Sequence, residues 1–172
     1  MNLPALGQVP LVFTRTYRTL DDSPGPFGPG TSHAYQIFLQ PLSADALLLT
    51  LPGNSRALFA RQTDGTFRNS TDPAMRGAVV TLSGGNRVLT FKDQAEWTFD
   101  GNGRLISQRD RNGNTITISR DGQGRVTTLT EPAGRSFTVS YSGTALQVSQ
   151  VTDPLGRTVR YTYDGAGRLR WR

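Results

Sequence analysis

The sequence predicts an all-β fold, an antiparallel β-hairpin meander forming an open, curling sheet. Three observations carry that prediction. Short runs alternate polar and apolar residues, as in Thr115-Ile116-Thr117-Ile118, which is the period of a half-buried strand. Acid–x–x–Gly turns separate those runs at nearly constant spacing. No stretch shows helical spacing of apolar residues over three turns.

The clearest unit spans residues 100–121. Asp100-Gly101-Asn102-Gly103 has tight-turn chemistry: Asp at the first position bonds backbone two residues on, and Gly at the fourth accepts a positive φ. Residues 104–108 read as a short strand, Asp110-Arg111-Asn112-Gly113 as a second turn, and 114–119 as a second strand. Turn-opening acids stand at Asp100, Asp110, Asp121, Glu131, Asp153 and Asp164, with spacings of 10, 11, 10, 22 and 11. The closing glycines Gly103, Gly113, Gly124, Gly134, Gly156 and Gly167 keep the same spacings. The missing turn falls at Ser142-Gly143-Thr144-Ala145, a degenerate member. A period near 21 residues, two hairpin strands with their turns, calls for units that stack on their neighbours.

Earlier in the chain the elements are less regular. Residues 9–17 alternate as a strand. The Pro- and Gly-rich run 21–30 forbids regular structure and is expected to be a long surface loop. Residues 31–39 return to a strand with Tyr35, Ile37 and Leu39 on one face. Strands are expected at 47–51, 56–61, 77–82, 87–92 and 95–99, with 67–75 irregular. A boundary near residue 95 divides a cap-like N-terminal β domain, 1–95, from a repeat sheet, 96–172. After that boundary, 137–141 and 157–163 are further strands.

Composition narrows the functional classes. Gly and Pro total 29 of 172 residues, 19 Gly and 10 Pro, and they sit mostly in turns, which suits a folded chain with a thin core. No apolar run reaches membrane-helix length, and residues 1–4 lack signal-peptide character. Cysteine is absent, which excludes disulfides and thiol chemistry. The net charge is +6, and Lys92 is the single lysine among 19 basic residues. Arg recurs after the turn glycines, at Arg104, Arg125, Arg135, Arg157 and Arg168. Such residues keep strands soluble and pair with turn Asp residues on adjacent hairpins; alternatively a basic face binds nucleic acid or acidic glycan. The periodic placement favours the structural role, and nucleic acid is not an expected partner.

No catalytic set, metal set or cofactor motif stands out. His33 is the lone His and, with no Cys, cannot complete a usual zinc site. No G-x-S-x-G elbow accompanies it. Asp110, Asn112, Asn114 and Asp121 imitate an EF-hand loop, but Thr115 occupies the required Gly position. The aromatics Phe99, Phe137, Tyr141, Tyr161 and Tyr163 follow the strand period, which makes them a register-holding ladder before a stacking platform for sugars or bases.

The repeat residues resemble a known family. Phe99-Asp100-x-x-Gly103-Arg104-Leu105 and Tyr163-Asp164-x-x-Gly167-Arg168-Leu169 resemble the YD repeat, aromatic–Asp–x–x–Gly–Arg–Leu. Thr152-Asp153-Pro154-Leu155-Gly156-Arg157-Thr158 looks like its intervening segment, and Asp110-Arg111-Asn112-Gly113-Asn114 is similar to a variant of it. Upstream, Pro10-Leu11-x-Phe13-x-Arg15-Thr16-Tyr17 and Gly28-Pro29-Gly30-Thr31-Ser32-His33 resemble the RHS-associated N-terminal domain. The resemblance implies a piece of an RHS-type shell: a spiralling β-sheet that, in bacterial polymorphic toxins delivered outside the cell, encloses a C-terminal effector. Related shells occur in insecticidal toxin complexes and teneurins. It also implies more repeats than are present and an effector after Arg172, so the chain is a fragment, a truncated product or a minimal member.

The expected function is therefore a non-catalytic structural module without cofactor or metal, secreted or at the cell surface. Its expected partners are the rest of the shell, the effector and other copies through an open sheet edge. The alternative is a cell-surface carbohydrate-binding module using Tyr161, Tyr163 and Arg168.

Overall fold

The computed structural model describes residues 11–143 and 145–170. In chain order the strands are β1 Arg15–Tyr17, β2 Thr31–His33, β3 Phe38–Ser43, β4 Ala46–Leu51, β5 Ser55–Arg61, β6 Phe67–Arg68, β7 Val79–Ser83, β8 Asn86–Thr90 and β9 Glu96–Phe99. They continue as β10 Leu105–Arg109, β11 Thr115–Arg120, β12 Val126–Thr130, β13 Ser136–Tyr141, β14 Val148–Thr152, β15 Thr158–Arg160, β16 Thr162–Tyr163 and β17 Leu169–Arg170. The strands β3 to β15 hydrogen-bond in strict sequence order as thirteen neighbours. The order is linear, with β3 and β15 at its ends, so the expected open antiparallel meander is what forms. Two small hairpins, β1–β2 and β16–β17, stand outside it.

The chain forms two compact units, Gln36–Thr117 and the pair of segments Met1–Tyr35 and Ile118–Arg172. Pairing runs from β8 through β9 to β10, without a break near residue 95.

Within Gln36–Thr117 one face of each strand is apolar and buried: Leu39, Leu49, Phe59, Val80, Leu89, Phe99 and Leu105. The alternation in β5, where Ala57 and Phe59 are buried and their neighbours are not, is the period of two made physical. The sheet of this unit curls. The Leu39 amide donates to the Gly103 carbonyl at 2.8 Å and the Leu105 amide to the Ile37 carbonyl at 3.3 Å. One isolated bridge, Phe38 to Arg104, accompanies them. The expected irregular stretch 67–75 supplies the short β6, which links β5 to β7. Buried Asn69 then organises the loop. Its amide donates to the Leu58 carbonyl at 2.7 Å, and its carbonyl accepts from the Thr71 and Asp72 amides.

In the other unit β12 and β14 share one burial pattern, with Val126, Leu129, Val148 and Val151 buried, and β13 between them buries Phe137 and Val139. Three sequence expectations are corrected here. The strand expected over 9–17 is ordered as β1 only from Arg15, and residues 9 and 10 lie outside the described residues. The strand expected over 31–39 is broken after His33, because the His33 ring takes the Tyr35 amide onto Nδ1 at 3.2 Å and the Ala34 amide turns to the Thr14 carbonyl. Tyr35, Ile37 and Leu39 are buried all the same. The run 21–30 is no surface loop: Gly25, Pro26, Phe27 and Gly28 are buried. A chain of Gly and Pro carries few amide donors and little side chain, so its backbone can lie directly on a sheet. A Cβ on Gly28 would stand 2.9 Å from the Gly167 carbonyl oxygen.

Candidate functional site

The repeated chemistry is one five-residue turn. At Asp100, Asp110, Asp121, Glu131, Asp153 and Asp164 the acid's amide donates to the carbonyl of the residue four on, and the glycine amide three on donates back to the acid's carbonyl, all near 2.9–3.0 Å. The aspartate side chain then binds its own turn. Asp153 Oδ1 accepts from the Leu155 and Arg157 amides at 2.9 and 2.8 Å, and Oδ2 accepts from Arg157 Nε at 2.6 Å. Asp121 with Arg125 and Asp164 with Arg168 repeat the arrangement. At Asp100 the Arg104 amide donates to Oδ1 at 2.8 Å. At Asp110, Asn114 replaces the arginine and its side-chain amide donates to Oδ2 at 2.8 Å. Glu131, one methylene longer, reaches Arg135 Nε at 2.6 Å.

Four of the five recurrent arginines, Arg125, Arg135, Arg157 and Arg168, therefore pair within one turn, at acid i and Arg i+4, not between adjacent hairpins as expected. The carboxylates titrate accordingly. Burial pushes Asp153 up, but the Arg157 and Leu155 hydrogen bonds outweigh it and its pKa falls below the usual value. The Arg135 side chain lowers Glu131, and the Arg168 amide lowers Asp164. In each of these pairs the arginine Nε donates to the carboxylate of its own turn.

Two further copies stand where the sequence predicts turns, at 63–66 and 92–94, without marking them as members of the repeat. Gln62 to Thr66 and Phe91 to Ala95 make the same pair of backbone bonds, with Gly65 at φ 81° and Gln94 at φ 69° in the glycine position. Their acids, Asp64 and Asp93, stand at the third position and accept from Thr66 and Ala95. A search keyed on an opening acid passes over them.

Arg125 also builds the degenerate turn. Beyond its 2.7 Å pair with Asp121, its Nη1 donates to the carbonyls of Gly143 and Ala145 at 2.9 and 2.6 Å. Its guanidinium lies 4.4 Å from the Tyr141 ring centroid. The beat lost at 142–145 is thus held by the preceding repeat.

The aromatics expected to form a ladder are each tied into their own surroundings. Phe99 and Phe137 are buried. Tyr141 and Tyr163 each donate a hydroxyl to the carbonyl fifteen residues back, Val126 at 2.8 Å and Val148 at 2.7 Å. Tyr163 also reaches the Pro26 carbonyl at 3.2 Å, and the Val148 amide donates to that same oxygen at 2.8 Å. Phe27 meets Tyr161 edge to face at 5.0 Å. Burial and the neighbouring Tyr161 push the Tyr163 phenol up to about 12. Of the three residues considered for glycan contact, Tyr163 thus has its hydroxyl engaged internally, Tyr161 packs on Phe27, and Arg168 is held to Asp164 by an exposed pair.

His33 is packed inside the protein. It is buried, stacks on Phe13 at 5.2 Å, and is lowered to about 3 by burial and by Arg120. Arg120 itself donates to the Tyr35 and Gly124 carbonyls. Among the described residues no group of three or more acidic or His side chains is placed to hold a metal ion. No helix among them is long and apolar enough to cross a membrane.

Sequential hairpins closed by one repeated acid–x–x–Gly turn define a β-repeat protein. A family model described as RHS Repeat matches residues 99–136 and 144–170, leaving out the stretch around the degenerate turn. A second, Domain of unknown function (DUF6531), matches residues 2–59. Residues 99–136 and 144–170 are thus RHS/YD repeats, and the second match is consistent with an associated N-terminal domain. No curated protein matches the chain.

Proposed function

We propose that the chain is a non-catalytic wall segment of an RHS shell that encloses and helps deliver a C-terminal effector, outside the producing cell or at its surface. The observation that supports this is the self-contained turn: because each acid binds its own arginine or asparagine, one hairpin can follow another indefinitely without new chemistry. The strictly sequential strand order suits a wall extended one hairpin at a time. Its partners are then further RHS repeats, the enclosed effector and, through an end strand of the sheet, another copy. Light scattering over a dilution series tests it. Concentration-dependent association, relieved by further RHS repeats supplied in trans, is expected. A dilution-resistant monomer with a high melting temperature and no affinity for such repeats would count against it.

The carbohydrate alternative retains Arg168, whose side chain is 72 % exposed, and the outer edge of Tyr161. A glycan array comparing the protein with Arg168→Ala decides it, and an array without hits removes it.

A further inference from the structure

One cleft of about 760 Å³ lies within the unit formed by Met1–Tyr35 and Ile118–Arg172. That volume is in the range of about 300–1,000 Å³ typical of ligand sites. Arg15, Arg157, Arg160 and Arg170 line it, against a single carboxylate, Asp153. Asp153 is already saturated by the Leu155 and Arg157 donors. Three of the four arginines also touch something within the protein. Arg15 lies 5.8 Å from the Phe27 ring, Arg157 holds Asp153, and Arg160 Nε donates to Gln150 at 3.1 Å. Leaving Arg15 aside, Arg157, Arg160 and Arg170 set three positive charges against the one carboxylate of Asp153, so the cleft carries a net positive field, focused by low-dielectric walls.

Those walls are apolar. Phe27, Phe137, Val151, Val159 and Leu169 share the lining. A small inorganic anion would satisfy the arginines and leave this surface wet. A purely apolar ligand would leave the charge unanswered. The complement is a molecule that alternates carboxylate and hydrocarbon, as an extended peptide does on its two faces. A strand is also within the cleft wall: Val159 and Arg160 belong to β15, the last strand in the sheet order. Strand addition with side-chain pockets for specificity is an established peptide-binding mode.

We propose that this cleft docks an extended acidic polypeptide segment whose apolar side chains seat between the arginines. The proposal does not depend on the shell role.

Fluorescence anisotropy of the full chain with a labelled heptapeptide alternating glutamate and leucine tests it. Saturable binding that weakens with salt is expected, and Arg160→Glu with Arg170→Glu should lower affinity about tenfold or more. The same double variant should gain affinity for a lysine–leucine heptapeptide, a result that unfolding cannot produce. Arg56→Glu with Arg111→Glu, exposed positions elsewhere, should leave binding unchanged. No binding, equal loss in the control pair, or equal competition by inorganic phosphate or an all-glutamate peptide would overturn the proposal.

Discussion

The Leu39 amide donates to the Gly103 carbonyl at 2.8 Å, joining β3 to the turn that precedes β10. A Cβ on Gly103 would stand 2.4 Å from the Leu39 carbonyl oxygen, and the residue has φ 77°. Gly113 occupies the same turn position at φ 88°, but its nearest neighbours are Arg109 side-chain nitrogens at 3.9 and 4.0 Å. The two glycines thus separate backbone strain from close approach. Gly113→Ala should cost about 1 kcal/mol, the left-handed penalty alone. Gly103→Ala should cost about 3 kcal/mol or more, since backbone must move. Urea unfolding of both variants checks the difference; equal costs would mean that the curl of this unit tolerates an opening at Gly103.

Arg125 supports two turns at once. Arg125→Ala removes a partly buried pair and leaves the Gly143 and Ala145 carbonyls without their donor. A loss of about 2 kcal/mol is expected. Arg125→Lys should recover little, because an ammonium cannot hold two carbonyls, a carboxylate and a ring face together. Thermal melts and amide exchange over 142–147 measure both effects.

Acid should weaken the protein well above carboxylate pKa values. His33 is buried neutral with a folded pKa near 3 against an ordinary 6.5. The unfolded chain takes up that proton first, so stability is whole above pH 6.5, falls as pH drops toward 3, and levels off below. By about pH 5 the loss should be about 2 kcal/mol. The turn carboxylates, whose folded pKa values are lowered, add a separate loss only below about pH 4. In His33→Asn, which keeps an acceptor for the Tyr35 amide, the upper part of the pH dependence should disappear. An unchanged slope between pH 6.5 and 5 would show that His33 titrates freely.

Phe27 anchors the buried Gly/Pro segment against Tyr161. Phe27→Ala should cost about 3–4 kcal/mol and expose the Tyr161 ring to solvent. Tyr163→Phe, which forfeits the bonds to Val148 and Pro26, should cost about 1 kcal/mol. Tyrosine fluorescence and melting temperature follow the two variants.

Much of this architecture was legible because its causes are local. Asp164, Gly167 and Arg168 are four residues apart at most, and the bonds they make fall within that span. Turn chemistry of that kind is written in the order of residues. What was not legible was either the kinship of a predicted turn whose acid is shifted, as at Asp64 and Asp93, or not local at all. Nothing near Pro26 in sequence announces that its carbonyl takes donors from Val148 and Tyr163, more than a hundred residues on. The arginine-lined cleft was invisible for the same reason: Arg15 and Arg170 share it only because the chain folds back.

The sequence by itself determined most of the strands and the repeated turn, since each depends on φ preferences and side-chain reach over a few residues. Tertiary structure alone decided that a Gly- and Pro-rich run would be buried, that Gly103 would lie directly against the Leu39 backbone, and which guanidiniums would face one cleft. Those outcomes depend on which surfaces the curling sheet brings within contact distance. Burial and close packing act between residues far apart in the chain, and no local pattern of residue types records them.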